Sequence, residues 1–397
     1  MPNTKSAINA AHPEPQKLYG LDHLRAIAIL AVLCFHYQFF GRPEWEAGRI
    51  SKFGWSGVDL FFVLSGFLIA GQLFATVARG KPISLREFFI KRFFRIIPPY
   101  LLVLVLYLVF PVMREWGRPW PAWKYFTFTL NFGQDLSHYG SFSHAWSLCV
   151  EEQFYLLLPL TFLLFGLKKA GKKPFYLVGG LVLFGILVRY LSWKYFAEPY
   201  LNTDKFGTKW NEFDYYPTYN RLDGLLVGVS IAGLFTFYPR FKDWVNKYSY
   251  VILFVGAALL FAAWKICIVY ASYDTSTYGF PIIALGYGCV LAAFVSPSCI
   301  FYRLKSRLTA EIATLSYAVY LSHKIVIHLV QKYAETIGLD KNSILVMMLC
   351  VICVASVALL MRYVIEKPAL QMRNCVLTKW KKPSAVVTSD YERKLAE

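Results

Sequence analysis

An all-α, polytopic membrane bundle of about ten helices is the fold class this sequence predicts, on three observations. Apolar residues make up 57% of the chain and come in near-continuous runs of about 18 or more, unlike the periodic patterns of soluble elements. Charged residues are only 17% and gather in short segments between those runs. The stretch Met1 to Lys17 is polar, holds three prolines and has no apolar core, so it does not read as a signal peptide and the first run stays in the membrane.

The expected spans are 24–40, 56–76, 96–113, 147–166, 175–193, 220–237, 249–270, 278–298, 309–333 and 344–365. The first follows the polar Leu21-Asp22-His23. The second opens on Gly54-Trp55-Ser56-Gly57 and gives way to the turn signal Gly80-Lys81-Pro82. Pro98-Pro99 flank the third. The fourth starts at Trp146-Ser147, and the basic linker 168–174 separates it from the fifth. The sixth starts at Asn220-Arg221-Leu222-Asp223, and Lys367-Pro368 close the tenth. No internal repeat is evident. The domains expected are an N-terminal tail 1–23, a membrane domain 24–366 and a C-terminal tail 367–397.

The chain carries 42 Lys and Arg against 24 Asp and Glu. A basic excess can mark nucleic-acid binding, but here it sits between apolar runs, which excludes that class. Lys and Arg in the two tails and alternate loops outnumber those on the other face by more than two to one. The positive-inside rule then makes both termini cytoplasmic, in a multi-pass protein of the inner (cytoplasmic) membrane contacting lipid. The opposite loops are longer and aromatic, with Trp116, Trp120 and Trp123, and Trp210 to Tyr219 carrying Glu212 and Asp214. An interfacial belt and a sugar-stacking surface both fit them. The eight cysteines lie in the runs or near their ends, with no CxxC beside histidines, so no disulfide framework or metal site is expected.

Ionisable groups inside spans are costly and face the bundle interior, which makes them functional candidates. In the first span, His36 follows Arg25 by eleven residues. That spacing brings it back to within about 20° of the same helix face and about 16 Å along the axis. A neutral His36 can take a proton from a hydroxyl nucleophile; a hydrogen bond to a neighbouring helix explains it equally simply. Arg92 and Arg95 share a face if their segment is helical, and two guanidiniums grip phosphates bidentately. Lipid headgroups or topology alone also explain them. An arginine pair beside a span with a histidine deep in it suits a ligand with phosphates at one end and a reactive group on a long arm, the shape of coenzyme A.

Asp59 in the second span needs a partner. Ser147 and Glu151, four residues apart, share a face, although Ser147 also suits a helix cap. Arg221 can pair structurally with Asp59, Glu151 or Asp223, and His323 and Lys324 fall in mid-membrane. By depth, Arg25, Arg92 and Arg95 form one set; His36, Asp59, Ser147, Glu151, Arg221 and Asp223 form another in the outer half.

These segments together resemble the membrane acyltransferase-3 family, which O-acylates bacterial surface glycans, peptidoglycan and some small secreted molecules. The resemblance rests on Leu21-Asp22-His23-Leu24-Arg25-Ala26 through His36, on Gly57 to Ile69, and on Arg92-x-x-Arg95. It continues in Trp146-Ser147-x-x-x-Glu151-Glu152-Gln153-Phe154-Tyr155 and Ser316-Tyr317-Ala318-Val319-Tyr320-Leu321-Ser322-His323, spanning about residues 18–370. It implies that Arg25 and His36 are a catalytic pair, that Arg92 and Arg95 hold acyl-CoA, and that Ser147 and Glu151 form a Ser-x3-Glu element. His23 stands where a glycine is common.

The function expected is O-acyl transfer, most simply of acetyl, from cytoplasmic acyl-CoA to a hydroxyl of a cell-envelope glycan or a small secreted metabolite, without a metal. His36 is the expected general base, with an acyl-histidine intermediate as the variant and Glu151 orienting it or binding the acceptor, while Asp59, Ser147, Arg221, Asp223 and His323 serve the acceptor or the fold. Many family members append a soluble esterase-like domain. Here only a charged tail follows residue 370, so transfer is expected to finish in the membrane domain or to pass to a separate envelope protein. The alternative is a transporter or flippase for a glycan or lipid precursor, a class that often shows internal repeats.

Overall fold

The computed structural model describes residues 18–38, 40, 49–164 and 173–381. Among these residues every regular element is helical, and a helix stands at each expected span. They are α1 (Tyr19–Tyr37), α2 (Gly57–Ala78), α3 (Leu85–Val109), α4 (Trp146–Leu164), α5 (Lys173–Ser192), α6 (Asp223–Phe237), α7 (Ser249–Ile266), α8 (Phe280–Phe294), α9 (Arg307–Thr336) and α10 (Ile344–Met361). Eight helical segments are long and apolar enough to cross a membrane, so the chain is a polytopic helical membrane bundle. Among the described residues, α4 and α6 are not among these eight. α6 has only 15 residues and bends by 108° into Pro239–Lys247. The outer parts of both tails, residue 39 of the first expected span, residues 165 and 166 of the fourth and most of the 168–174 linker lie outside the described residues.

The two helix starts that moved furthest both lie at polar sequence. α1 begins at Tyr19 rather than 24, because His23 is not a solvated end. It is buried, with Nε2 3.0 Å from the Leu304 carbonyl and Nδ1 2.9 Å from Thr309 Oγ1. α3 begins at Leu85, eleven residues before the apolar run. Ser84 caps it by accepting from the Glu87 amide at 3.2 Å, and the helix passes through Pro98 and Pro99 without ending. Arg92 and Arg95 are therefore on a helix and share a face.

Packing is closest where glycine lets backbones meet. A Cβ on Gly66 would lie 2.1 Å from the Leu225 carbonyl oxygen, and one on Gly228 would lie 2.2 Å from that of Val63. This locks α2 against α6 as small-residue membrane interfaces do. α1 packs on α9 and α2, α7 on α8, and α9 on α10. α10 runs on through a wide turn at 362–366 into Lys367–Lys381. The core is rich in aromatic rings and centres on α2, α3, α4 and the segments between α3 and α4 and between α5 and α6.

Candidate active site

α1 carries candidate groups at both of its ends. Near its start, Arg25 shares an electrostatic neighbourhood with Arg92, Arg95, Asp22 and Tyr155. Arg92 Nη2 donates to Gln72 Oε1 at 3.3 Å, its guanidinium lies 5.7 Å from the Tyr155 ring, and its buried Nε has no partner. Arg95 is exposed. Arginines from α1 and α3 thus converge at one end of the bundle.

Glu151 belongs to this end, not beside His36. It accepts from Ser65 Oγ at 2.7 Å and from the Tyr155 hydroxyl at 3.3 Å, and it lies in the field of Arg92 and Arg25. Depth read from the nearest helix start had put it in the outer half. In the fold, one turn of α4 separates two environments. Ser147, the other member of the Ser-x3-Glu pair, faces the histidine side: its Oγ lies 2.5 Å from the Tyr320 hydroxyl, so it is not the helix cap.

At the far end of α1, His36 meets α9. Its Nδ1 is 3.0 Å from His323 Nε2, and the two ring centroids are 4.8 Å apart. His144 completes the cluster, 5.0 Å from His323 and 6.2 Å from His36 between ring centroids. Its Nε2 is 3.3 Å from the Leu321 carbonyl, and its buried Nδ1 has no partner. His144 reaches this position through a turn at Phe142, whose φ of 56° is left-handed, a conformation costing a non-glycine residue about 1–2 kcal/mol. The Phe142 ring is fully buried and stacks 4.8 Å from Tyr107 and 5.8 Å from Tyr125, which holds the turn. Beside the histidines, Lys324 pairs with Glu115 at 2.9 Å and donates to Ser143 Oγ at 3.0 Å.

His36, His144, Glu115 and Lys324 line a cavity of about 1120 Å³. Its walls include residues of α1, α4, α7 and α9 and of the segments after α1, α3, α5 and α7, and carry Trp55, Trp116, Trp146, Trp264, Tyr215 and Tyr270. Aromatic planes with a few charged groups suit the faces and hydroxyls of a sugar ring. Of the loop aromatics, Trp116, Tyr215 and Tyr216 line this cavity, while Trp123 is exposed.

The remaining candidates are taken up in buried ion pairs. Arg221 Nη2 bridges both Asp59 oxygens at 2.9 and 3.0 Å, inside a cage of Phe280, Tyr215 and Trp146. Of the three carboxylates open to Arg221, Asp59 is the one it takes. Asp223 is held instead by Arg189 at 2.7 Å, both of them buried.

Sequence reasoning missed His144, Glu115 and Arg189. His144 stood two residues before Trp146, close enough to have been weighed. Nothing local marked Glu115, whose partner is 209 positions away.

The model of the acyltransferase domain family matches residues 18–362. O-acetyltransferase OatA of Staphylococcus aureus strain NCTC 8325 / PS 47 is 29% identical over 336 residues, 80% of this chain and 52% of that protein. OatA of strains COL and MRSA252 aligns with the same figures. The chain spans about half the length of the curated relatives it matches. No solved structure matches it.

Proposed function

This chain belongs to the acyltransferase family that it matches over residues 18–362, and on that premise we propose that it is an acetyl-CoA-dependent O-acetyltransferase. Its acceptor is a hydroxyl of a cell-envelope glycan or a related small molecule. Acetyl-CoA enters at the arginine end, and the excess of Lys and Arg in the tails and alternate loops supports a cytoplasmic position for it. Arg92 and Arg95 hold its phosphates, with Arg25 at the start of the path along α1. The acceptor occupies the aromatic cavity.

His36 removes the acceptor's hydroxyl proton while that oxygen attacks the thioester carbonyl. Collapse of the tetrahedral adduct breaks the carbon–sulfur bond, and the departing thiolate takes the proton from His36. The products are an O-acetyl ester and free CoA. Glu151 acts at the arginine end, where through Tyr155 it orders the groups around Arg92 and Arg25.

One observation carries this reading. One helix, α1, places Arg25 beside the arginines of α3 at one end and, about 16 Å on, a histidine in the wall of a cavity large enough for a sugar. The test is purified protein with acetyl-CoA and a glycan acceptor, followed by mass spectrometry of the acceptor and release of free thiol. His36→Ala should fold normally and lose about 10²–10⁴-fold in rate. A folded, fully active His36→Ala refutes the base assignment.

A further inference from the structure

We propose that His323 is a positioning residue for the transfer, holding His36 in the tautomer whose Nε2 is the free base. The proposal rests on the reading of His36 as the general base, and it is carried by hydrogen-bond geometry.

His323 is fully buried. Its Nδ1 faces two carbonyl oxygens, those of Tyr320 at 2.8 Å and Val319 at 3.1 Å. Carbonyls only accept, so Nδ1 carries the hydrogen. The cation of this pocket is Lys324, and Glu115 is already its counter-ion at 2.9 Å. A second positive charge on His323 finds no carboxylate of its own among the described residues. His323 is therefore neutral, and its Nε2 is a bare acceptor. His36 Nδ1 lies 3.0 Å from that nitrogen and must donate to it, since two lone pairs at this distance would repel. One tautomer of neutral His36 remains, with hydrogen on Nδ1 and a lone pair on Nε2.

This arrangement aids the reaction in two ways. The lone pair that accepts the hydroxyl proton is present before the acceptor arrives. Once Nε2 is protonated, the Nδ1–H bond to His323 becomes charge-assisted and stronger, which stabilises the imidazolium until the thiolate takes the proton from Nε2. No relay runs further, because the other nitrogen of His323 is committed to backbone carbonyls. The titratable groups facing the pair are His144, Lys324, Glu115 and Tyr320.

The test is nitrogen-15 solid-state NMR of histidine-labelled full-length protein in lipid bilayers, with the His36 signal identified by its loss in His36→Gln. The wild type should show His36 protonated at Nδ1 and bare at Nε2 near neutral pH. His323→Leu, which has no acceptor, should mix the tautomers and lower kcat about 10²-fold or more, with KM for acetyl-CoA little changed. His323→Gln, whose carboxamide oxygen can accept, should recover the Nδ1–H tautomer and much of the rate. A wild-type His36 protonated at Nε2 overturns the proposal, as does a folded His323→Leu with unchanged tautomer and kcat. If His323→Leu fails to insert, the wild-type spectrum and His323→Gln decide. A fully active His36→Ala removes the base reading and the positioning role together. An inactive His36→Ala with wild-type His36 protonated at Nε2 removes the positioning role alone.

Discussion

Replacing Asp59 by alanine should destabilise the bundle by about 3–5 kcal/mol, and the structure shows why a single substitution costs more than the pair contributes. At 2.9 Å and an effective dielectric of about 20, opposite unit charges attract by about 6 kcal/mol. Taking two ions out of water costs several kcal/mol each, so the intact pair nets little. Removing Asp59 forfeits the attraction and keeps half of the desolvation cost. Arg221 is 2% exposed, and its Nε and Nη1 already lack partners. The Phe280 ring 4.0 Å away offsets at most about 2 kcal/mol. Asp59→Leu with Arg221→Met, which removes both charges, should therefore be more stable than either single variant. Denaturant titration in mild detergent, followed by tryptophan fluorescence, measures all four proteins. An unchanged midpoint in Asp59→Ala, or losses that simply add in the double variant, would refute a structural ion pair.

Two further outcomes follow from other parts of the molecule. Arg92→Lys keeps the charge but loses the planar fork, so calorimetry should show weaker CoA binding with acceptor binding unchanged; equal CoA affinity would remove Arg92 from the donor site. Asp214, in the segment between α5 and α6, is pushed up to about 8 by burial, which outweighs the opposing pull of Arg189. Unfolded, it ionises near its ordinary value of about 3.9. The folded state therefore binds the extra proton between those values, and stability falls as pH rises from about 4 to about 8. Asp214→Asn should flatten that slope in thermal melts, and an identical slope would count against it.

Much of the fold was legible in the sequence because a bilayer turns helices into long apolar runs. The places where reading failed are polar. The start of α1 was placed late because Asp22 and His23 look like a solvated end, yet His23 is buried against Leu304 and Thr309. His36 and the arginine pair were legible because cost marks them: a histidine in a span and a cluster of guanidiniums at its edge stand out without a structure. Their partners were not. Helical periodicity gives the face and depth of a side chain along its own helix, but not which helix lies opposite. The contact of His36 with His323 and the choice of Asp59 by Arg221 are both long-range. Glu151 was misplaced for a related reason. Its depth was counted from the helix start, whereas Ser65 and Tyr155 decide which cluster it joins.

The central claim is that donor and acceptor reach one reaction centre from opposite ends of the bundle. It is tested most directly in sealed proteoliposomes with the arginine end outward, acetyl-CoA labelled in its acetyl group outside, and a glycan acceptor enclosed. Label should appear on the enclosed glycan while free CoA accumulates outside, and His36→Ala vesicles should show neither. Acetylated glycan only when both substrates share the arginine side, or unmodified glycan crossing without thioester cleavage, would contradict the account.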